Sequence, residues 1–68
     1  MTTQQYADIL ADNGVPLIEG EIVKVRCDMR GDNWYAKIEG KGWFWFGTYP
    51  SRSAEWKPCP MGPPGETP

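Results

Sequence analysis

NWYAKIEGKGWFWFG, residues 33–47, is the stretch that decides the fold. Two runs rich in aromatic and β-branched residues, 33–39 and 42–47, flank the pair Gly40-Lys41, and such runs are typical of strands. A glycine at the first position of a two-residue loop suits a type II′ hairpin turn. We therefore predict an antiparallel hairpin whose strands are joined by Gly40-Lys41.

The predicted loop also determines which side chains share a face of the hairpin. A two-residue loop places Ile38 opposite Trp43, and cross-strand partners point the same way. One predicted face, expected to lie against a helix, carries Trp34, Ala36, Ile38, Trp43 and Trp45. The other face carries Tyr35, Lys37, Phe44 and Phe46. A slip of one residue would scramble these sets, so the prediction depends on the turn.

Residues 3–12 are predicted to form a short helix. Thr2 and Gln5 have the spacing of a capping box, and Asn13-Gly14 supplies a left-handed stop. A helix of about ten residues is marginal alone, so it must dock on the sheet. The apolar stripe that would dock consists of Tyr6, Ile9 and Leu10.

The remaining segments complete a small domain. The alternation in EIVKVRC, residues 21–27, predicts a half-buried strand with Val23, Val25 and Cys27 on one side and Ile22, Lys24 and Arg26 on the other. A short edge strand is expected near residues 54–57. We predict an α+β fold, with one N-terminal helix packed on a small three- or four-stranded antiparallel sheet. The domain is expected to span residues 1–57, and residues 58–68, rich in Pro and Gly, to form a disordered tail.

The composition argues against catalysis. The chain has no His, its carboxylates are scattered, and no glycine loop has a phosphate-binding pattern. Two cysteines, Cys27 and Cys59, are too few for a zinc site, and are read either as reduced thiols or as one disulfide. We expect no catalytic residue, metal or cofactor. With no signal peptide and no apolar run near the roughly 18 residues that span a membrane, we expect a cytoplasmic protein.

The charge is unevenly distributed. Residues 24–57 contain all seven Lys and Arg residues, whereas residues 1–23 contain four acidic residues and no Lys or Arg. The basic part coincides with the aromatic part, and KGWFWF resembles in outline the RNP1 pattern of RRM and cold-shock sheets, whose rings stack on bases while cations meet phosphates. The candidate nucleic-acid-binding residues are Tyr35, Lys37, Phe44 and Phe46 on the exposed face, with Lys24, Arg26 and Lys41 nearby.

Over about residues 6–57, the chain also resembles the N-terminal module of phage and plasmid primase–helicase proteins of the TOPRIM-associated kind. The resemblance rests on the helix YADIL, on Val25-Arg26-Cys27, on the hairpin strand from Trp34-Tyr35 to Gly40, and on the return strand Trp45-Phe46-Gly47. The strand histidine of the family is Val25 here, and no TOPRIM or helicase domain follows. The resemblance therefore implies a phage-type module associated with DNA handling, without primer synthesis or ATP hydrolysis.

Three functions follow as hypotheses. The first is a non-catalytic binder of single-stranded DNA or RNA in the host cell. The second is a small phage protein that binds and inhibits a host protein, for example a CRISPR effector or other DNA-processing machinery, through the same face or the acidic N-terminal third. The third is a structural accessory piece whose tail is a proline-rich ligand. An apolar face on so small a domain is also compatible with a homodimer.

Overall fold

The computed structural model describes residues 1–65 of the chain. Helix α1 (Thr3–Asp12) is followed by strands β1 (Ile22–Cys27), β2 (Asn33–Ile38), β3 (Gly42–Gly47) and β4 (Lys57–Pro58). The strands form one antiparallel sheet in the order β1-β2-β3-β4. The predicted α+β fold, one N-terminal helix on a small antiparallel sheet, is confirmed.

The helix begins and ends where local sequence predicts. The backbone N–H of Gln5 donates to Thr2 Oγ1 at 3.2 Å, and the N–H of Thr2 donates back to Gln5 Oε1 at 2.7 Å, which completes the capping box. At the other end Gly14 has φ of 71°, and the N–H of Val15 returns to the carbonyl of Leu10 at 2.9 Å. This bond ends the helix as a Schellman motif does and directs the chain toward the sheet.

The hairpin between β2 and β3 differs from the prediction by one residue. Ile38 pairs with Gly42, and the loop therefore contains residues 39–41. The N–H of Lys41 closes the turn on the carbonyl of Ile38 at 3.0 Å, and Gly40 and Gly42 have φ of 79° and 88°. Two glycines at positive φ accommodate the additional loop residue. The predicted pairing of Ile38 with Trp43 is wrong.

The slip of one residue exchanges the two faces of β3. Phe44 and Phe46 lie opposite Ala36 and Trp34, on the side covered by the helix. Trp43 and Trp45 lie opposite Lys37 and Tyr35, on the other side. The predicted placement of these four rings is therefore reversed, because side chains alternate along a strand.

Strand β1 contains a bulge that the alternation of its sequence does not reveal. Ile22 pairs with Ile38, but Lys24 pairs with Lys37, so Val23 is an extra residue. The bulge moves Ile22 to the core side, together with Val25, and its side chain is only 2% exposed. The predicted position of Ile22 beside Lys24 and Arg26 is wrong for this reason.

The core lies between the sheet and residues 3–18, which comprise the helix and the segment after it. Its buried members are Leu10, Val15, Ile18, Ile22, Trp34, Ala36, Ile38 and Phe46. The loop after β3 covers the far end of this core, where the Trp56 ring lies 5.6 Å from the ring of Phe46. The Trp56 indole donates to the carbonyl of Pro16 at 2.9 Å, so the loop is joined to the segment after the helix.

The proline-rich C-terminal segment lies against the sheet as far as the structure describes it. Pro58 belongs to β4 and pairs with Phe44, the N–H of Cys59 donates to the carbonyl of Trp43 at 2.9 Å, and Pro63 is buried. The predicted boundary at residues 57/58 therefore falls inside β4. Among residues 58–65, Pro63 is buried, Cys59 and Gly62 are half-buried and the others are exposed, so the segment lies on the sheet where disorder was predicted. The last part of the predicted tail, residues 66–68, lies outside the described residues.

Candidate nucleic-acid interface

The side of the sheet away from the helix combines aromatic and basic side chains. One row crosses all four strands in the order Arg26, Tyr35, Trp45, Lys57. The next row contains Lys24, Lys37 and Trp43. We call this set the basic aromatic face, which consists of Lys24, Arg26, Tyr35, Lys37, Trp43, Trp45 and Lys57.

The charged side chains that the strands contribute to the basic aromatic face are all basic, and the Asp28 carboxylate of the following loop lies at its edge, near Tyr35. Within the four strands, all of which the structure describes, its remaining positions are Asn33 and Gly47, and none carries an acidic side chain. Arg26, Lys37 and Lys57 are exposed, whereas the three rings and Lys24 are half-buried. Half-buried rings between cations on a sheet surface can stack on flat ligands while the cations meet anionic groups.

Trp45 is held in a defined orientation on this face. Its indole N–H donates to Asn33 Oδ1 at 3.1 Å. Its ring lies over Gly47, where an added Cβ would come within 2.7 Å of the ring atom Cζ2. Gly47 therefore provides the space that allows the indole to lie along the sheet, and Asn33 fixes its direction.

Asn33 connects Trp45 to the loop between β1 and β2. Its side-chain amide donates to Asp28 Oδ2 at 2.7 Å, and the N–H of Asp32 donates to Asp28 Oδ1 at 2.8 Å. Burial by itself would raise the pKa of Asp28, but the hydrogen bonds from Asn33, Asp32 and Gly31 outweigh it and lower the pKa. The Asp28 carboxylate thus organises this loop as an anion.

Tyr35 lies beside a cleft at the β1 end of the face. The cleft is lined by Arg26, Cys27, Asp28, Tyr35, Pro63 and Pro64, among others. Burial raises the pKa of Tyr35, and negative charge on the Cys59 sulfur and on the Asp28 carboxylate raises it further, because a nearby anion disfavours the phenolate. Tyr35 is therefore a neutral ring at physiological pH.

The structure places some of the predicted site residues on or beside the basic aromatic face and the others against the core. Tyr35, Lys37, Lys24 and Arg26 share the basic aromatic face, and Lys41 is exposed in the adjoining hairpin loop. Phe46 is only 1% exposed and Phe44 packs against the core, so their predicted placement on the exposed face is wrong.

Three residues of the face were not among the predicted site residues: Trp43, Trp45 and Lys57. A three-residue hairpin loop, which Gly42 makes feasible, would have identified both tryptophans from the sequence. Lys57 belongs to a two-residue strand, which is too short to be assigned to a face by its periodicity.

A scan against protein-family models found no match, and searches of curated proteins and of solved structures found none either.

Residues 1–65 were also compared with the requirements of a metal site, a disulfide and a membrane-spanning helix. No group of three or more Cys, Asp or Glu side chains there is arranged to hold a metal ion. Cys27 and Cys59 are both free thiols, the first exposed and the second half-buried. In the same part of the chain, no helix has the length and apolar character to cross a membrane.

Proposed function

We propose that this protein is a non-catalytic module that binds single-stranded nucleic acid through the basic aromatic face. The observation that carries the proposal is the row Arg26–Tyr35–Trp45–Lys57, in which two rings lie between two cations on one line across the sheet. The predicted binding platform is thereby revised, because Trp43 and Trp45 take the places of Phe44 and Phe46.

The spacing of this row suits an unpaired strand. Neighbouring strands of a sheet are about 4.8 Å apart, so side chains on adjacent strands present a series of closely spaced contacts. Each exposed base can stack on a ring, which contributes roughly 1–3 kcal/mol, while phosphates meet Lys and Arg. In a duplex the bases are already stacked and paired, so this face favours single strands.

From the sequence resemblance to the N-terminal module of phage and plasmid primase–helicase proteins, we also propose a role in DNA handling by a phage or mobile element, in the cytoplasm of its host. The proposal concerns binding alone and includes no primer synthesis or ATP hydrolysis.

The first experiment measures fluorescence anisotropy of labelled oligo-dT with the full chain at two salt concentrations. We expect binding at low salt that weakens as salt rises. If the four cations of the face each meet a phosphate, the slope of log affinity against log salt is about −3. No binding at low salt would overturn the proposal.

Variants then locate the binding surface. We expect Trp45→Ala to weaken oligo-dT binding about fivefold or more, because one stacking ring is lost. The matched control is Tyr49→Ala, which removes an aromatic side chain that is 64% exposed in the loop after β3. For the cations, Lys57→Ala is compared with Arg30→Ala, an exposed position outside the face. Circular dichroism verifies the fold of each variant, and equal effects on and off the face would contradict this location.

A protein partner is the second candidate, favoured by the exposed acidic side chains of the N-terminal third: Asp8, Asp12, Glu19 and Glu21. Acidic side chains can imitate phosphates toward a basic partner, such as a host DNA-processing protein. Reversing the helix charges with Asp8→Lys/Asp12→Lys distinguishes the two candidates. Inhibition of such a partner would be lost in this variant, whereas the nucleic-acid proposal predicts oligo-dT binding that is retained or strengthened.

A further inference from the structure

We propose that residues 60–65 are a displaceable cover over the basic aromatic face, and that single-stranded nucleic acid must displace it to reach Trp43 and Tyr35. The inference rests on the proposed function for the identity of the competitor. The existence of the cover is inferred from contacts within the chain, which do not depend on the proposed function.

The cover begins at the β4 edge of the sheet. After Cys59 the chain turns, and the N–H of Gly62 donates to the carbonyl of Cys59 at 2.9 Å. This turn places Gly62 on the indole of Trp43, where an added Cβ would lie 3.0 Å from Cδ1 and 3.1 Å from Nε1. The five-membered ring of Trp43 is thus covered by backbone that has no side chain.

The segment then continues toward β1. Pro63 is buried, and Pro63 and Pro64 line the cleft that also contains Tyr35 and Arg26. The order of these contacts, from Cys59 past Trp43 to Tyr35 and Arg26, takes the segment diagonally across the face. Trp45 and Lys57 lie on one side of this diagonal, whereas Lys24 and Lys37 lie on the other.

The way the segment is held favours release. Gly62 is held by Cys59, just before the cover: the N–H of Gly62 donates to the Cys59 carbonyl, and the Cys59 thiol donates to the Gly62 carbonyl at 3.6 Å. Both bonds lie within one turn, and the bond to the sheet, from the N–H of Cys59 to the carbonyl of Trp43, is made before the cover begins. Pro60, Pro63 and Pro64 have no N–H to donate. Contact between prolines and aromatic rings is the mode by which proline-rich peptides dock on aromatic grooves, and nucleobases use the same ring surfaces. The cover and a base therefore compete for the same rings.

The cover has a consequence for affinity. While it is closed, Trp43 and Tyr35 are not available together with Trp45 as one continuous surface. A site that is open for only part of the time binds with an affinity reduced by the open fraction. Destabilising the cover should therefore tighten nucleic-acid binding without adding a contact.

The test compares two glycine variants of the full chain. Gly62→Ala adds a methyl group against Trp43 at a position with φ of 73°, and should unseat the turn. Gly14→Ala is the matched control, because Gly14 has φ of 71°, an added Cβ meets nothing within 4 Å, and the residue lies just after the helix, outside the cover. A second variant, Pro63→Asn, places an uncharged polar side chain at a buried position of the cover and tests the same release independently, without changing the charge of the face.

Two measurements are made on each variant. The first, without nucleic acid, is the NMR signal and solvent exchange of the Trp43 indole N–H. The second is oligo-dT affinity. We expect Gly62→Ala and Pro63→Asn to expose Trp43 and to tighten oligo-dT binding about threefold or more relative to the wild type and Gly14→Ala.

The two proposals fail in distinguishable ways. If Trp43 becomes exposed but oligo-dT affinity is unchanged or weaker, competition is overturned. If Trp43 stays protected in both cover variants, the segment is a fixed part of the fold and the cover is overturned. If Trp43 becomes exposed and no protein binds oligo-dT, the proposed function is overturned, while displacement of the cover is supported.

Discussion

The indole N–H of Trp45 donates a hydrogen bond of 3.1 Å to the side-chain oxygen of Asn33. The same side chain donates from its amide nitrogen to the carboxylate of Asp28 at 2.7 Å. One asparagine therefore joins the central ring of the basic aromatic face to the loop between β1 and β2. The orientation of Trp45 depends on a residue of the neighbouring strand.

Asn33→Ala tests this connection. We expect the free energy of unfolding in urea to fall by about 1–3 kcal/mol, because two hydrogen bonds are lost and one of them is to a carboxylate. Asn13→Ala is the matched control, since the exposed Asn13 side chain makes one bond, to the carbonyl of Ile9 at 2.8 Å. A cost for Asn33→Ala no greater than that for Asn13→Ala would contradict the structural role of Asn33.

Gly47→Ala tests the position of the Trp45 ring. The new Cβ would lie 2.7 Å from Trp45 Cζ2, and crowding of this kind typically costs about 1–3 kcal/mol. In a Trp45→Ala background the ring is gone, so the cost of the same substitution should shrink. Urea unfolding of the four proteins of this cycle gives the coupling between the two sites. Additive effects would show that the indole does not lie over Gly47.

The hairpin register makes a prediction about which aromatic residues stabilise the fold. Phe46 is 1% exposed, and we expect Phe46→Ala to cost about 3–5 kcal/mol, as for other large core deletions. Trp43→Ala, at a half-buried position on the other face, should cost less. Thermal and urea unfolding check the order. The two-residue loop predicts the reverse order, since it places Trp43 against the helix.

The Asp28 carboxylate should make the stability of the folded protein depend on pH. Its pKa in the folded protein is lowered below the ordinary value of 3.8, so its contribution is present above that value. The contribution is lost as pH falls through the folded pKa, because the protonated carboxyl can no longer accept the same hydrogen bonds. We expect wild type and Asp28→Asn to differ in urea midpoint at pH 6 and to converge as the pH falls through the folded pKa of Asp28, which lies below 3.8. Parallel curves down to pH 2 would contradict this role.

Local signals predicted the helix and the strands well. The helix bounds of 3–12 agree with Thr3–Asp12, because the capping box and the glycine stop act within a few residues. The strands predicted at 33–39 and 42–47 agree closely with Asn33–Ile38 and Gly42–Gly47. The predicted short strand near residues 54–57 lies at Lys57–Pro58, where only its last residue overlaps.

The candidate site was predicted only in part. Tyr35 and Lys37 lie on β2, so the one-residue slip in β3 did not move them. Phe44 and Phe46 lie on the face predicted for Trp43 and Trp45, and the tryptophans lie on the face predicted for the phenylalanines. The local sequence around Gly40-Lys41 is compatible with a two- or a three-residue loop, and the packing of the core determines which one forms. The bulge at Val23 likewise follows from packing, because it allows Ile22 to be buried opposite Ile38.

The amino-acid sequence alone determined the elements of this protein: a capped helix, an aromatic hairpin, an α+β fold, and basic residues concentrated in the aromatic part. These properties depend on neighbours within one turn or one strand. Only the tertiary structure decided that Trp43 and Trp45 share a face with Tyr35, and that Gly62 and Pro63 cover part of it. The reason is that register and docking depend on which residues fill the core. The buried cluster that contains Phe46, Trp34 and Ile22, with Phe44 packed against it, forms only when distant parts of the chain come together.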